Sequence, residues 1–276
     1  MFQIEVRRLC ADDYPGLSSW LGVNIDEIRS AAEAHHVQSR DHWIAHAGSE
    51  VVGGLSSWRS PDGRLRLYPD KCREDAWAPL LSRITGPAVA CVNGRNVEAL
   101  AALRQCGFLV ARTELMYEIP VCTHQALFPA GYEVVSAADV SVEDVMALDC
   151  RLRDDVPGTE GWTEALEWFR EENHGSPYFD PACYLIVRAD HQHVALIRVW
   201  NGPRPLPRLG MVGVLSAYRG RGLATALLGQ VLSVWSQRGG TVITAEVDQD
   251  NHASNALMTA FSGRVTGTEF ELSRPS

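Results

Sequence analysis

The chain has 276 residues, of which 46% are hydrophobic and 21% charged, and it carries a formal net charge of −9. That length holds one large domain or two of ordinary size, and the composition is that of a soluble globular protein with ample core. A broad nucleic-acid surface is excluded, since it needs a basic face, and no apolar run reaches the ~20 residues that span a bilayer.

Met1 to Val6 lacks the basic start and apolar stretch of a signal peptide, so the expected location is the cytoplasm. The seven cysteines are odd in number, scattered and without a Cys-x-x-Cys pair. They read as reduced thiols that mostly fill core.

In chain order, Phe2 to Leu9 alternates as a strand. Asp12-Asp13-Tyr14-Pro15 opens a helical region, and Asn24 can cap a helix from Ile25 to Ala34. Trp43–Ala47 and Val51–Trp58 read as a hairpin, with a turn at Pro61-Asp62-Gly63 and a short strand from Arg64 to Tyr68. A helix over Ala76–Ile84 and a strand over Ala88–Val92 follow. Asn96 caps a helix that ends at Gly107, and Leu115–Ile119 is a strand.

Pro120 to Ala130 has no periodicity and reads as a connection. The order of elements then begins again. Tyr132–Ser136 is a strand, Val142–Leu152 a helix, and Thr159–Glu172 a second helix with Trp162, Leu166 and Phe169 on one face. Tyr184–Val187 and Val194–Trp200 form a hairpin about Asp190-His191. Pro203, Pro205 and Pro207 stiffen the loop that follows. The strand Leu209–Leu215, a helix from Leu223, the strand Val242–Val247, a helix over Ala253–Phe261 and a strand over Thr268–Leu272 complete the chain.

The stretch Arg208 to Leu228 carries the chemistry. A Val-rich strand runs into Tyr218-Arg219-Gly220-Arg221-Gly222, and Leu223, Leu227, Val231 and Trp235 then recur every four residues as a helix stripe. A strand that feeds a glycine turn and a helix start can hold phosphate. The unpaired N–H groups of the first helical turn point at the anion, the helix dipole favours negative charge there, and glycine lets the backbone come close. Arg219 and Arg221 add positive charge in a fork that suits phosphate oxygens. Taken alone, the glycine pattern also fits an ordinary strand–turn–helix connection with solvated arginines. A dinucleotide-binding fold fails, because Gly220-x-Gly222-x-x-Thr225 lacks the third glycine and lies late in the chain.

In context the stretch resembles motif A of the GNAT family of N-acetyltransferases, Val-x-Val-x-Pro-x-x-Arg-Gly-x-Gly-x-Gly/Ala. Val212, Val214, Arg219, Gly220, Arg221, Gly222 and Ala224 fall in register, and Ser216 replaces the proline. The resemblance implies that Val212, Val214, Arg219, Gly220, Arg221, Gly222, Leu223, Ala224 and Asn251 bind acetyl-CoA as acyl donor, with no metal. It further implies an acyl-CoA-dependent N-acetyltransferase that acts on the primary amine of a small molecule, with no nucleic-acid or membrane partner. A homodimer is compatible with it.

Asn96-x-x-Ala99 ahead of Gly107-Phe108 matches the family's Asn-x-x-Ala…Gly-Phe helix, and Asn251-x-x-Ser254 ahead of Gly263 echoes it. The chain therefore contains an internal repeat. The expected fold class is α/β (α+β), with two tandem GNAT-like domains, each a mixed, mostly antiparallel sheet flanked by helices. This is similar to the tandem arrangement of the mycothiol synthase group. The domains read from sequence are 1–120, a degenerate copy without a phosphate loop, a connection over 121–130, and 131–276, the acyl-CoA-binding copy. In the first copy Asp70, Glu74 and Asp75 would stand where phosphate belongs, and Trp77 would block backbone approach. That copy is expected either to help wall the acceptor site or to add stabilising bulk.

Acyl transfer to an amine needs a neutral amine, a polarised carbonyl and a protonated leaving thiolate. By resemblance, backbone N–H groups near Val212 and Val214 face the thioester. Glu246 is the first choice of general base, followed by Asp248 and His252. Glu246 also reads as a solvated strand residue, and Asp248 as a cap. The mycothiol synthase group has a glutamate just before its Val-Gly-Val string, where Arg208 stands here. The family's usual tyrosine acid falls at Met258, which leaves Tyr218, Tyr184 or water. Asp154-Asp155 could hold a cationic amine or cap the Thr159 region. A non-catalytic acyl-CoA-binding protein is the competing expectation.

Overall fold

The computed structural model describes residues 3–29, 40–60, 63–69, 71–123, 127–159, 165–202 and 205–275. The chain divides into two units, Met1–Glu114 with Gly267–Ser276, and Leu115–Thr266. Each is a mixed, mostly antiparallel sheet flanked by helices, as the sequence predicts.

In the first unit β1 (Ile4–Arg8) runs antiparallel to β2 (Arg40–Ala47), which forms a hairpin with β3 (Glu50–Arg59). Beside β3 lies β4 (Leu65–Pro69), antiparallel to it, and then β5 (Ala88–Asn93), parallel to β4. The end of β12 (Arg264–Arg274) pairs antiparallel with β5, with Glu269 opposite Asn93 and Arg274 opposite Ala88. The helices are α1 (Tyr14–Leu21), α2 (Trp77–Leu81) and α3 (Val97–Gln105). Residues 25–29 are helical, and the rest of the helix expected to Ala34 lies outside the described residues. Leu55, Leu67, Trp77, Leu80, Leu103 and Phe108 fill the core between the sheet and α2 and α3.

The second unit repeats this order. Its strands lie as β6 (Leu109–Pro120, in this unit from Leu115), β11 (Val242–Asp248), β10 (Arg208–Val214), β9 (Gln192–Trp200), β8 (Tyr184–Ala189) and β7 (Glu133–Ser136). β10 and β11 are parallel, as β4 and β5 are in the first unit, while β10–β9, β9–β8 and β8–β7 are antiparallel. Helices α4 (Val142–Arg153) and α5 (Leu166–Glu172) cover a core of Leu148, Phe169, Tyr184, Ile186 and Leu196. The helices α6 (Leu223–Gln237) and α7 (His252–Ala260) belong to a second core, with Ile197, Leu227, Val231, Ile243 and Met258. The β8–β9 hairpin turns at Asp190 and His191, both at positive φ (46° and 64°), the backbone a two-residue hairpin of this twist requires.

Several elements differ from the sequence reading, among them β12, which runs from Arg264 to Arg274 rather than from Thr268 to Leu272. The expected helix over 76–84 is α2, only Trp77–Leu81, after a 3-10 turn over Glu74–Ala76. β6 starts at Leu109 rather than Leu115, because the Gly107 turn (φ 85°) delivers the chain directly into extended backbone. The helix expected over 159–172 begins at Leu166, with residues 160–164, Trp162 among them, outside the described residues. The unit boundaries also fall elsewhere. The chain passes between units inside β6, and from Gly267 onward it counts with the first unit because that part of β12 bonds to β5.

Candidate functional site

The site lies within the second unit, where β10 and β11 part. They pair at two positions only, Arg208 with Thr244 and Leu209 with Ala245. Past Leu209 the edge of β10 has no partner in β11, while its other edge continues to bond β9 through Val214. A parallel pair that stops after two residues leaves backbone groups facing a gap.

A cavity of about 490 Å³ occupies this region. It is lined by Val212, Gly213 and Val214 of β10, by Tyr218, Arg219, Gly220 and Gly222 of the turn, and by Leu223, Ala224 and Thr225 of α6. Asn251, Ala253, Ser254, Ala256, Leu257 and Ala260 of α7, and Leu152, Asp155 and Val156 after α4, close it. Gly213 packs closely on α4: a Cβ there would stand 3.1 Å from Leu152 Cδ1, so that side chain would have to give by a few tenths of an ångström.

The turn has the conformation its glycines permit. Gly220 and Gly222 have φ of +74° and +79°, and an added Cβ on either would meet nothing within 4 Å. Gly222 is the residue before the first turn of α6, a 15-residue helix buried along one side. No side chain caps that helix, so its first N–H groups face the open mouth of the turn. The wide berth around both glycines, the free helix end and the neighbouring guanidinium together suit an anion.

The two arginines of the turn have different partners. Arg219 donates through Nε to the Val214 carbonyl (2.9 Å) and through Nη2 to Asp155 Oδ2 (2.6 Å). Arg221 donates to the Tyr132 hydroxyl (2.7 Å) and to the Ala217 carbonyl (3.1 Å), and its guanidinium lies 5.3 Å from the Tyr218 ring. It is outside the cavity lining and braces the turn from its far side. Asn251 caps α7 by accepting from Ser254 N–H (3.1 Å), as Asn96 caps α3 by accepting from Ala99 N–H (3.1 Å). The Tyr117 hydroxyl donates to Asn255 Oδ1 (3.0 Å), and the Asn255 amide donates to the carbonyls of Asp248 (2.9 Å) and Asn251 (3.0 Å). That network fixes the first turn of α7 against β6 and β11.

Of the residues singled out by sequence, Val212, Val214, Arg219, Gly220, Gly222, Leu223, Ala224 and Asn251 line one cavity. Glu246 is outside the lining, on β11, just past the last residue paired to β10. Its side chain is 9% exposed and accepts a hydrogen bond from Arg208 Nε. Met258 is fully buried in the core. Tyr184 is buried under α4 and α5, where desolvation pushes its phenol up, whereas Tyr218 stands in the cavity wall.

The profile of the acetyltransferase (GNAT) family matches residues 146–263. This segment contains every cavity-lining residue named above. Residues 146–263 are thus similar to a GNAT-family domain. Likeness to known proteins extends beyond that segment. The chain is 25% identical over 275 residues to a mycothiol acetyltransferase of Parafrankia sp. (strain EAN1pec), covering 86% of this chain and 84% of the relative. Its fold is similar to a GCN5-related N-acetyltransferase from Sphaerobacter thermophilus, with TM-score 0.73 at 16% identity over 98% of this chain and 95% of the other. It is also similar to a tandem GNAT protein from the clavulanic acid biosynthesis pathway, with TM-score 0.64 at 16% identity over 99% and 100% of the two chains.

Sequence reasoning did not foresee two walls of the cavity. One is the small-residue face of α7, where Ala253, Ala256, Leu257 and Ala260 recur at 3, 4 and 7 and could have been read as a lining stripe. The other is Leu152-Asp155-Val156, placed there by the turn after α4; the sequence reading named Asp155 only as a holder of a cationic amine or a cap, and it accepts from Arg219. Thr159 holds that turn by donating to the carbonyls of Arg153 (2.9 Å) and Val156 (2.9 Å). Among the described residues no group of His, Cys, Asp and Glu could hold a metal ion, and no helix is long and apolar enough to cross a membrane.

Proposed function

We propose that this protein transfers the acetyl group of acetyl-CoA to the primary amine of a small molecule in the cytoplasm, using the second unit alone. One observation carries the reading: an uncapped helix start and two left-handed glycines open beside Arg219 onto a 490 Å³ cavity with an apolar interior. The helix end and Arg219 suit a pyrophosphate, with Arg221 bracing the turn, and the apolar walls suit a pantetheine arm. The donor supplies an activated thioester. The unpaired edge of β10 near Val212 and Val214 offers N–H groups to its carbonyl oxygen as negative charge develops.

Glu246 receives a proton from the acceptor ammonium, freeing the nitrogen lone pair to bond the carbonyl carbon. The C–S bond then breaks with its electrons on sulfur, and the nitrogen's second proton goes to the thiolate, directly or through water. A thiol with a pKa near 8.5 is a fair leaving group, so the absence of a donor at Met258 does not block the reaction.

The first unit is proposed not to bind the donor. The place of its loop is taken by Glu74 and Asp75, and the Asp75 carboxylate is bound by Arg73 Nε at 2.6 Å and Nη2 at 2.9 Å. Trp77 is buried at the start of α2, a helix of five residues.

A second reading, a non-catalytic acyl-CoA-binding protein, is favoured by the buried Met258 and by the engagement of Glu246 with Arg208. Titration calorimetry of the intact chain with acetyl-CoA, followed by thiol release on a panel of amines, tests both. One site per chain with turnover is expected. No binding refutes the donor assignment, two sites refute the inactive first unit, and one site without turnover selects the second reading.

A further inference from the structure

We infer that the acceptor carries a carboxylate close to its amine, and that Arg208 and Glu246 receive those two groups as a pair. The inference rests on the acetyl-transfer reading above and names its substrate class.

Arg208 and Glu246 flank the closed end of the gap between β10 and β11. Arg208 occupies the first of the two paired positions, and Glu246 follows the last. Glu246 is almost buried, while the Arg208 side chain is 35% exposed. The neighbouring strand position is Gly210, where a Cβ would lie 2.5 Å from Trp200 Nε1, so the indole sits directly on the backbone there. The other arginine of this face, Arg198, is buried and committed to Asp149 (3.3 Å) and Asn173 (2.8 Å). Among the described residues of this face, Arg208 is therefore the guanidinium with open surface at this end of the gap.

The charge balance of the pair discriminates between acceptors. A plain ammonium that takes Glu246 as its partner leaves the Arg208 guanidinium half-buried without a counterion, and an uncompensated charge of this kind is costly. An amino acid brings its own replacement. Its ammonium pairs with Glu246, its carboxylate pairs with Arg208, and the site holds two positive and two negative charges that sum to zero. A guanidinium has five N–H donors in a fork that matches a carboxylate, so one carboxylate does not exhaust it. Because Arg208 and Glu246 are in direct contact, the acceptor's two charges must also be close, as in an α- or β-amino acid. The reaction is unchanged. The ammonium gives one proton to Glu246, the nitrogen bonds the carbonyl carbon, the C–S bond breaks, and sulfur takes the second proton. The sum is one N-acetyl amino acid, one thiol and one proton released to solvent.

The test is thiol release by the full chain with acetyl-CoA and matched pairs, each an amino acid and the amine left by its decarboxylation, such as phenylalanine and 2-phenylethylamine or β-alanine and ethylamine. For the pair that turns over fastest, kcat/KM should favour the amino acid by at least about tenfold, with most of the difference in KM. Arg208→Met should reduce that preference to below about threefold, and Arg208→Lys, which keeps the charge without the fork, should retain an intermediate preference. Thermal melts of both variants establish that they fold. Equal or faster turnover of the plain amine overturns the inference while leaving acetyl transfer standing, as does a preference that survives Arg208→Met. Acetyl-CoA binding without turnover of any amine overturns both.

Discussion

The assignment of the glycine turn is tested most cleanly by placing two isosteric side chains at Gly222. The residue has φ +79° and ψ 4°, and an added Cβ finds no atom within 4 Å. Substitution therefore creates no clash, and its cost to folding is the left-handed backbone alone, about 1 kcal/mol, and least for Asn and Asp, which tolerate that region. Gly222→Asn and Gly222→Asp should consequently melt within about a degree or two of each other. They differ in one negative charge at the open end of α6. A pyrophosphate with two charges about 5 Å away, at an effective dielectric between 40 and 80, is repelled by about 2–3 kcal/mol. Gly222→Asp should thus bind acetyl-CoA about 20- to 200-fold more weakly than Gly222→Asn. The gap should narrow as salt is raised from 0.05 to 0.5 M, since the turn is exposed to solvent. Titration calorimetry at the two salt concentrations measures it. Equal affinities for the two variants at low salt would refute the phosphate assignment, whatever either does relative to the parent chain.

Three further outcomes follow from particular contacts. Asp155→Asn removes the carboxylate 2.6 Å from Arg219 Nη2. Because the pair is half exposed, stability should change by less than about 1 kcal/mol, while calorimetry should show acetyl-CoA binding a few-fold tighter with Arg219 released. Burial alone would raise the Asp13 carboxyl, but hydrogen bonds from Cys10 N–H and Arg7 outweigh it and hold the group below its ordinary 3.8. A group depressed in this way contributes stability above its unfolded pKa and loses it as pH falls through the folded value. Asp13→Asn should therefore be less stable than the parent by about 2 kcal/mol at pH 7, and denaturant melts should converge as pH is lowered below 3.8. A fragment of residues 131–276 omits β6, whose Tyr117 and Ile119 are buried in the core of the second unit. Two such losses cost about 3–5 kcal/mol each, so the fragment should lack a cooperative melt, while a chain beginning near residue 109 should regain part of it.

Much of the fold was legible in sequence because its signals are local. The hairpin of β2 and β3, the four-residue recurrence of α6, and the Asn caps of α3 and α7 each depend on neighbours within a few positions, and each element stands where that pattern put it. The cavity was legible to the extent that it is built from one stretch: Val212 to Ala224 supplies half its lining. Its remaining walls come from α4 and α7, and no local pattern states that Leu152 will pack on Gly213 or that Asp155 will reach Arg219. The same limit governs Glu246. Its position on a strand was readable, whereas its engagement with Arg208 depends on β10 and β11 lying parallel for only two residues. A pairing between positions 208 and 246 is a property of the sheet.

The unit boundaries were hidden for a different reason. By sequence β6 ends the first repeat and β12 ends the second, each after its capped helix. The sheet places them otherwise. β6 lies beside β11 of the second unit, and β12 beside β5 of the first. In a tandem repeat the two closing strands are near-equivalent in pattern, so alternation cannot tell which sheet each will join. The consequence reaches the cavity. The Tyr117–Asn255 hydrogen bond that steadies the first turn of α7, and with it one wall of the cavity, is made by a residue that the sequence reading places in the first repeat.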